Sequence, residues 1–164
     1  MREELVSPEL KNTDEEYREL ARQHQEFEAR LTKLTSLSYP TEEEILEESL
    51  LKKKKLLLKD KMEAIMHRYK REAEITRFKE ALRERVTHVA GLHQVYVEVL
   101  PEEVRVLSIL DRDTFDEASE NPIYDIHYDF LELFDLPMRF LCLPRTAVQA
   151  GIPGIGAEPV FSKE

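Results

Sequence analysis

The sequence predicts an α+β protein: an N-terminal antiparallel helical hairpin with a long second helix, followed by a small β-β-α-β module. Three observations carry this. Residues 41–89 contain neither glycine nor proline and consist almost wholly of good helix formers. Residues 13–37 place apolar side chains at gaps of three and four. From Gly91 onward the period changes to two, in runs rich in β-branched residues.

Residues 1–12 show little pattern and read as a frayed N-terminus, although Ser7-Pro8-Glu9 could start a short turn. Thr13 with Glu16 makes a capping box. Tyr17, Leu20, His24, Phe27, Leu31 and Leu34 then form a heptad stripe on one amphipathic helix. Ser38-Tyr39-Pro40 stops it, because proline disfavours helix at the residue before it. Thr41 with Glu44 is a second capping box and restarts the chain. The connection is so short that the two helices should be antiparallel neighbours, giving a hairpin or coiled-coil domain over residues 13–90. As one helix, residues 41–89 would run roughly 70 Å.

The matching stripe on the second helix is Leu51, Leu58, Met62, Ile65 and Tyr69. Ile75, Phe78, Leu82, Val86 and Val89 continue the spacing in a different phase, which places a stutter or bend near residues 71–74. Counting outward from the turn, the first helix runs out near His67. About 30 Å of the second helix should therefore project beyond it. An apolar stripe left in water needs cover, so Ile75, Phe78, Leu82, Val86 and Val89 are the expected partner-binding residues, with a second copy favoured over the chain's own module.

Gly91 should end the long helix. Residues 95–100 and 104–110 alternate as two strands. Setting Val99 opposite Val104 puts Glu98 across from Arg105 and Val97 across from Val106. Thr114 with Glu117 could cap a short turn, and Asn121-Pro122 reads as the start of a helix whose inner face is Ile123, Ile126, Phe130, Leu133 and Phe134. Residues 138–143 read as a third strand, so residues 92–144 form the module. Residues 145–164 hold three of the four glycines and read as a tail or clip.

The net charge of −10 conceals a pattern. Residues 52–71 carry nine basic and two acidic side chains, between strongly acidic flanks. Lys52, Lys53, Lys55, Lys59, Arg68 and Arg71 are therefore candidate anion-binding residues, for phosphate or for an acidic surface. The bland reading is that they complement the acidic first helix, and a pI near 5.1 argues against a dedicated nucleic-acid binder.

The first-helix segment DEEYRELARQHQEFEARLTKL, the turn SYPTEEEI and the run KKKKLLLKDKMEAIM resemble the small bacterial helical-hairpin proteins of the YdcH-like type. The turn Tyr39-Pro40-Thr41-Glu42-Glu43 and the run Lys54, Leu56, Leu58, Lys59, Asp60 carry the match, which covers residues 10–68 only. The resemblance implies a helix hairpin that associates with something, and implies no catalytic residues.

Other candidates for chemistry each have a plainer reading. Asp111 and Asp113 lack the glycine and distal glutamate of a calcium loop and read as a polar turn. Asp125, His127 and Asp129 would line up on a strand as a metal or acid–base set, but on a helix they do not face one another. His88 and His93 straddle Gly91 with no third ligand at suitable spacing, and His24 sits in the heptad seam. Cys142, the sole cysteine, reads as a small apolar side chain in a strand and permits no intrachain disulfide. No glycine-rich phosphate loop or hydrolase motif is present, so no catalytic, cofactor or metal site is expected. The N-terminus lacks the apolar core of a signal peptide, and no apolar run approaches the length of a membrane span.

The resulting expectation is a cytoplasmic, non-enzymatic binding or scaffold protein that self-associates or docks a protein partner through its long helix. The alternative is a nucleic-acid- or ribosome-associated factor using the basic band of residues 52–71. A third reading is a metal-dependent enzyme built on Asp125, His127 and Asp129.

Overall fold

The computed structural model describes residues 8–113, 117–146 and 157–163. The layout is α+β, with helices first and then a four-stranded sheet with one helix. The chain divides into two compact units, Met1–Lys70 and Arg71–Glu164.

In the first unit α1 (Pro8–Thr13) leads into α2 (Glu15–Thr35), and α3 (Glu42–Val86) contributes its residues 42–70. Residues 8–13 are thus helical, where a frayed end was expected, and Leu10 is buried in the hydrophobic cluster of the unit. The N-cap of α2 is Asp14, not Thr13: its Oδ1 accepts from the Tyr17 amide at 2.8 Å. Asp14 occupies that place because the Asp14 amide donates to the Leu10 carbonyl at 2.9 Å, so α1 runs directly into the cap. The second box forms as expected. The Thr41 amide donates to Glu44 Oε2 at 2.7 Å, and the Glu44 amide donates to Thr41 Oγ1 at 3.3 Å.

The two helices meet antiparallel. Tyr17, Leu20 and Ala21 cluster with Leu58, Met62 and Ile65, and Leu31 and Leu34 are also buried. Ion pairs cross at Arg30–Glu47, Glu28–Lys55 and Asp14–Arg68, which reproduces the register counted outward from the turn. Arg30 engages both Glu47 oxygens at 2.7 Å. Tyr69 lies off this seam and is exposed.

In the second unit the strands, in sheet order, are β3 (Met138–Leu143), β2 (Val104–Leu110), β1 (Leu92–Val99) and β4 (Glu158–Ser162). β1 (Leu92–Val99) and β2 (Val104–Leu110) pair antiparallel in the expected register, with Val99 on Val104, Glu98 on Arg105 and Val97 on Val106. Glu98 and Arg105 also form an ion pair at 3.4 Å. α4 (Glu117–Leu133) connects β2 to the parallel strand β3 (Met138–Leu143). It begins before Asn121, so Pro122 sits inside it rather than at its first position, where it withholds one amide from the helix. The Thr114–Glu117 cap lies outside the described residues.

The segment assigned to the tail contributes β4 (Glu158–Ser162), which pairs antiparallel with β1 and buries Val160 in the core. The module is therefore four-stranded, and β4 lies at an edge, where a proline such as Pro159 is tolerated. α3 ends at Val86, five residues before Gly91. Gly91 instead takes φ 80° in the turn into β1 and accepts a 2.8 Å hydrogen bond from the Asp111 amide.

Candidate docking surface

The expected partner-binding stripe is not a surface. Ile75, Phe78, Leu82 and Val86 are buried among the sheet valines and Ile123, Ile126 and Phe130 of α4, with Val89 packed against the same core, whereas Leu133, expected on that inner face, is exposed. Phe78 has no exposed area and meets Phe130 and Phe134 edge-on, each at 5.4 Å between ring centroids. Flanking polar contacts hold this half of α3 in place. Lys79 pairs with Glu158, Arg83 donates to the Val160 carbonyl, Arg85 pairs with Asp129, and Arg77 lies over the Phe134 ring. The stripe is covered by the chain's own module, whose boundary falls at residue 71 rather than 92. The phase slip near residues 71–74 marks this change of unit, since α3 is unbroken across it.

The apolar surface that remains in water lies on the earlier half of the same helix. Leu46 is 62% exposed, Leu50 49% and Leu57 56%, and Ile45 and Leu56 are exposed as well. At 100° per residue, Leu46, Leu50 and Leu57 fall within one narrow strip, well round the helix from Leu58, Met62 and Ile65 in the seam. Glu43 and Lys53, both exposed, belong to the same strip. Sequence reasoning missed it because the leucines were weighed against a single seam. The signal was a second set at gaps of three and four, 43-46-50-53-57, superposed on the first.

Five of the six candidate anion-binding residues of the basic band are engaged. Lys52 pairs with Glu48, Lys55 with Glu28, Lys59 with Glu63 at 3.6 Å and Arg68 with Asp14 at 3.7 Å. Arg71 donates to the Leu100 carbonyl at 2.6 Å. Of the six candidate anion-binding residues only Lys53 has no such contact among the described residues. Two of the five contacts reach the acidic first helix, Lys55 and Arg68. Such exposed pairs contribute little stability, but they offset the positive field of the band.

Asp125, His127 and Asp129 lie on α4 and diverge: the two aspartates are exposed, whereas His127 is 5% exposed. His127 Nε2 is 3.3 Å from Ser108 Oγ, itself buried, and the ring stacks on Phe140 at 4.2 Å. Burial alone drives the His127 pKa down to about 4, so the ring is neutral near neutral pH. Serine and histidine side by side suggest an activated nucleophile. Here both groups are enclosed in the core, which leaves a substrate no approach.

The Asp111 carboxylate receives Lys163 at 3.0 Å and Arg145 at 3.3 Å, contacts that hold it ionised below its ordinary pKa. It anchors a polar turn and the end of β4. Cys142 is half-buried against the sheet core, and His24 is half-buried in the seam, its pKa lowered first by burial and then by Lys55 and Lys59. His88 is exposed and His93 half-buried. Among the described residues no three His, Cys, Asp or Glu side chains are gathered as a metal would require, and no helix is long and apolar enough to cross a membrane. No protein-family model matches the chain, nor does any curated protein or solved structure.

Proposed function

We propose that the protein is a non-enzymatic binding or scaffold protein that docks a protein partner through α3, on the strip formed by Leu46, Leu50 and Leu57. The observation that supports this is the exposure of five large apolar side chains within residues 45–57 of one helix. Hydrophobic side chains standing singly in water are ordinary, but a strip at heptad spacing is the pattern that helix partners bury. The YdcH-like resemblance of residues 10–68 points the same way, to a hairpin that associates. Contact with nucleic acid through residues 52–71 is a weaker reading, because Lys52, Lys55, Lys59 and Arg68 would first have to leave their carboxylates.

The test is site-specific photocrosslinking in the source cells, with a photoreactive amino acid replacing Leu50 or, as a control, exposed Thr76 in the second unit. Discrete protein adducts at position 50 and none at position 76 are expected. Equal labelling at both positions, or none at 50, would remove the docking surface.

A further inference from the structure

The strip on α3 is self-complementary. Glu43, Leu46, Leu50, Lys53 and Leu57 follow one another at gaps of three, four, three and four, and all five are exposed. These are the alternating seam positions of a heptad, and in an antiparallel pair each kind of position meets the other kind on the neighbouring helix. Place a two-fold axis beside residue 48. Leu46 of one copy then lies on Leu50 of the other, and Glu43 lies on Lys53. A two-fold interface repeats each contact, so two leucine layers are bracketed by two opposite-charge layers. Leu57 falls opposite position 39, where Tyr39 is almost wholly exposed in the interhelical turn.

We propose that the occupant of this edge is a second copy of the chain, paired antiparallel through the 43-46-50-53 ladder. This rests on the docking surface described above and names its partner. Charge selects the arrangement. A parallel pair would set Lys53 against Lys53 and Glu43 against Glu43, which opposes association. An anionic membrane or a nucleic acid would meet Glu43 and its exposed neighbour Glu42 at one end of the strip. A second copy turned end for end satisfies both signs at once. The ladder is short, so the pair is a weak, concentration-dependent dimer rather than an obligate one.

Sedimentation velocity on the full chain tests this across a wide concentration range. The wild type should pass from monomer to dimer. Glu43→Lys and Lys53→Glu should each weaken the dimer about tenfold or more, because each sets like charges opposite one another. Combining the two substitutions in one chain should restore it, and mixing the two single variants should give a heterodimer stronger than either homodimer. Both positions are exposed, and circular dichroism verifies that the helices remain. A wild type that stays monomeric at the highest concentrations would overturn the proposal, as would a dimer indifferent to the charge exchange. Hetero-adducts at position 50 beside a monomeric wild type would sink the second copy alone. A monomer without adducts would sink the docking surface as well.

Discussion

The two units use one helix in opposite ways. In the second unit α3 lies in a layered core, and every large apolar residue of its stripe from Ile75 to Val86 is buried against sheet and helix. In the first unit α3 has one packed seam, shared with α2 and α1, and leaves a second apolar strip in water. The sequence patterns of the two halves look alike, since both offer apolar side chains at gaps of three and four. What separates them is the supply of partners. Residues 92–162 bring four strands and a helix to bury their half, whereas among the described residues the first unit brings α2 and the short α1.

Removing its share of α3 should break the second unit. A fragment of residues 71–164 should unfold cooperatively, while residues 92–144 alone should not, because they lack Phe78, Leu82 and β4. Denaturant titration followed by circular dichroism distinguishes the two, and a cooperative 92–144 fragment would place the boundary back at Gly91. Within the intact chain, Phe78→Ala should cost about 3–5 kcal/mol, as a buried aromatic between two other rings with little room to collapse. Thermal and denaturant unfolding measure this; a loss below about 1 kcal/mol would contradict the packing.

Acid should sharpen the same contrast. His127 is neutral when folded down to about pH 4, whereas an unfolded histidine takes up its proton near pH 6.5. Above that range the group has no effect on stability. As pH falls from 6.5 towards 4 the unfolded state binds the extra proton, so the second unit should lose up to about 3 kcal/mol, with no further loss from this group below pH 4. Hydrogen exchange resolved by segment would show the loss in β2, β3 and α4. His127→Phe should flatten the profile, and an unchanged slope would assign the acid sensitivity elsewhere. The smallest effect belongs to the first unit. Arg30→Ala removes an exposed pair with Glu47 and should change stability by less than about 1 kcal/mol.

Much of this architecture was legible because local chemistry and tertiary packing agreed. Thr41 and Glu44 cap where their spacing says they should, and Glu98 meets Arg105 because the valines on the other face demand the same register. The failures share a cause: a short-range signal outweighed by a partner distant in sequence. The residues around Pro159 read as tail because prolines and glycines punctuate the segment, yet an edge strand tolerates Pro159 and Val160 fills the core beside β1. Asn121-Pro122 has the chemistry of a helix start, but α4 is already under way. The stripe from Ile75 onward was recognisable as apolar, whereas its cover was not, since that depends on how a sheet some twenty residues further on folds. His127 was visible only as one of three alternating polar residues; its burial against Ser108 and Phe140 follows from the pairing of β2 with β3.

α3 buries its stripe after residue 71 and exposes another before residue 58. Side-chain footprinting of the native chain by a short-lived radical, read by peptide mass spectrometry in dilute solution, tests both halves at once. Leu46, Leu50 and Leu57 should label readily while Phe78 and Leu82 stay protected until the protein is denatured. Labelling of Phe78 and Leu82 in the native chain, with protection of Leu46 and Leu50 at the same dilution, would contradict it.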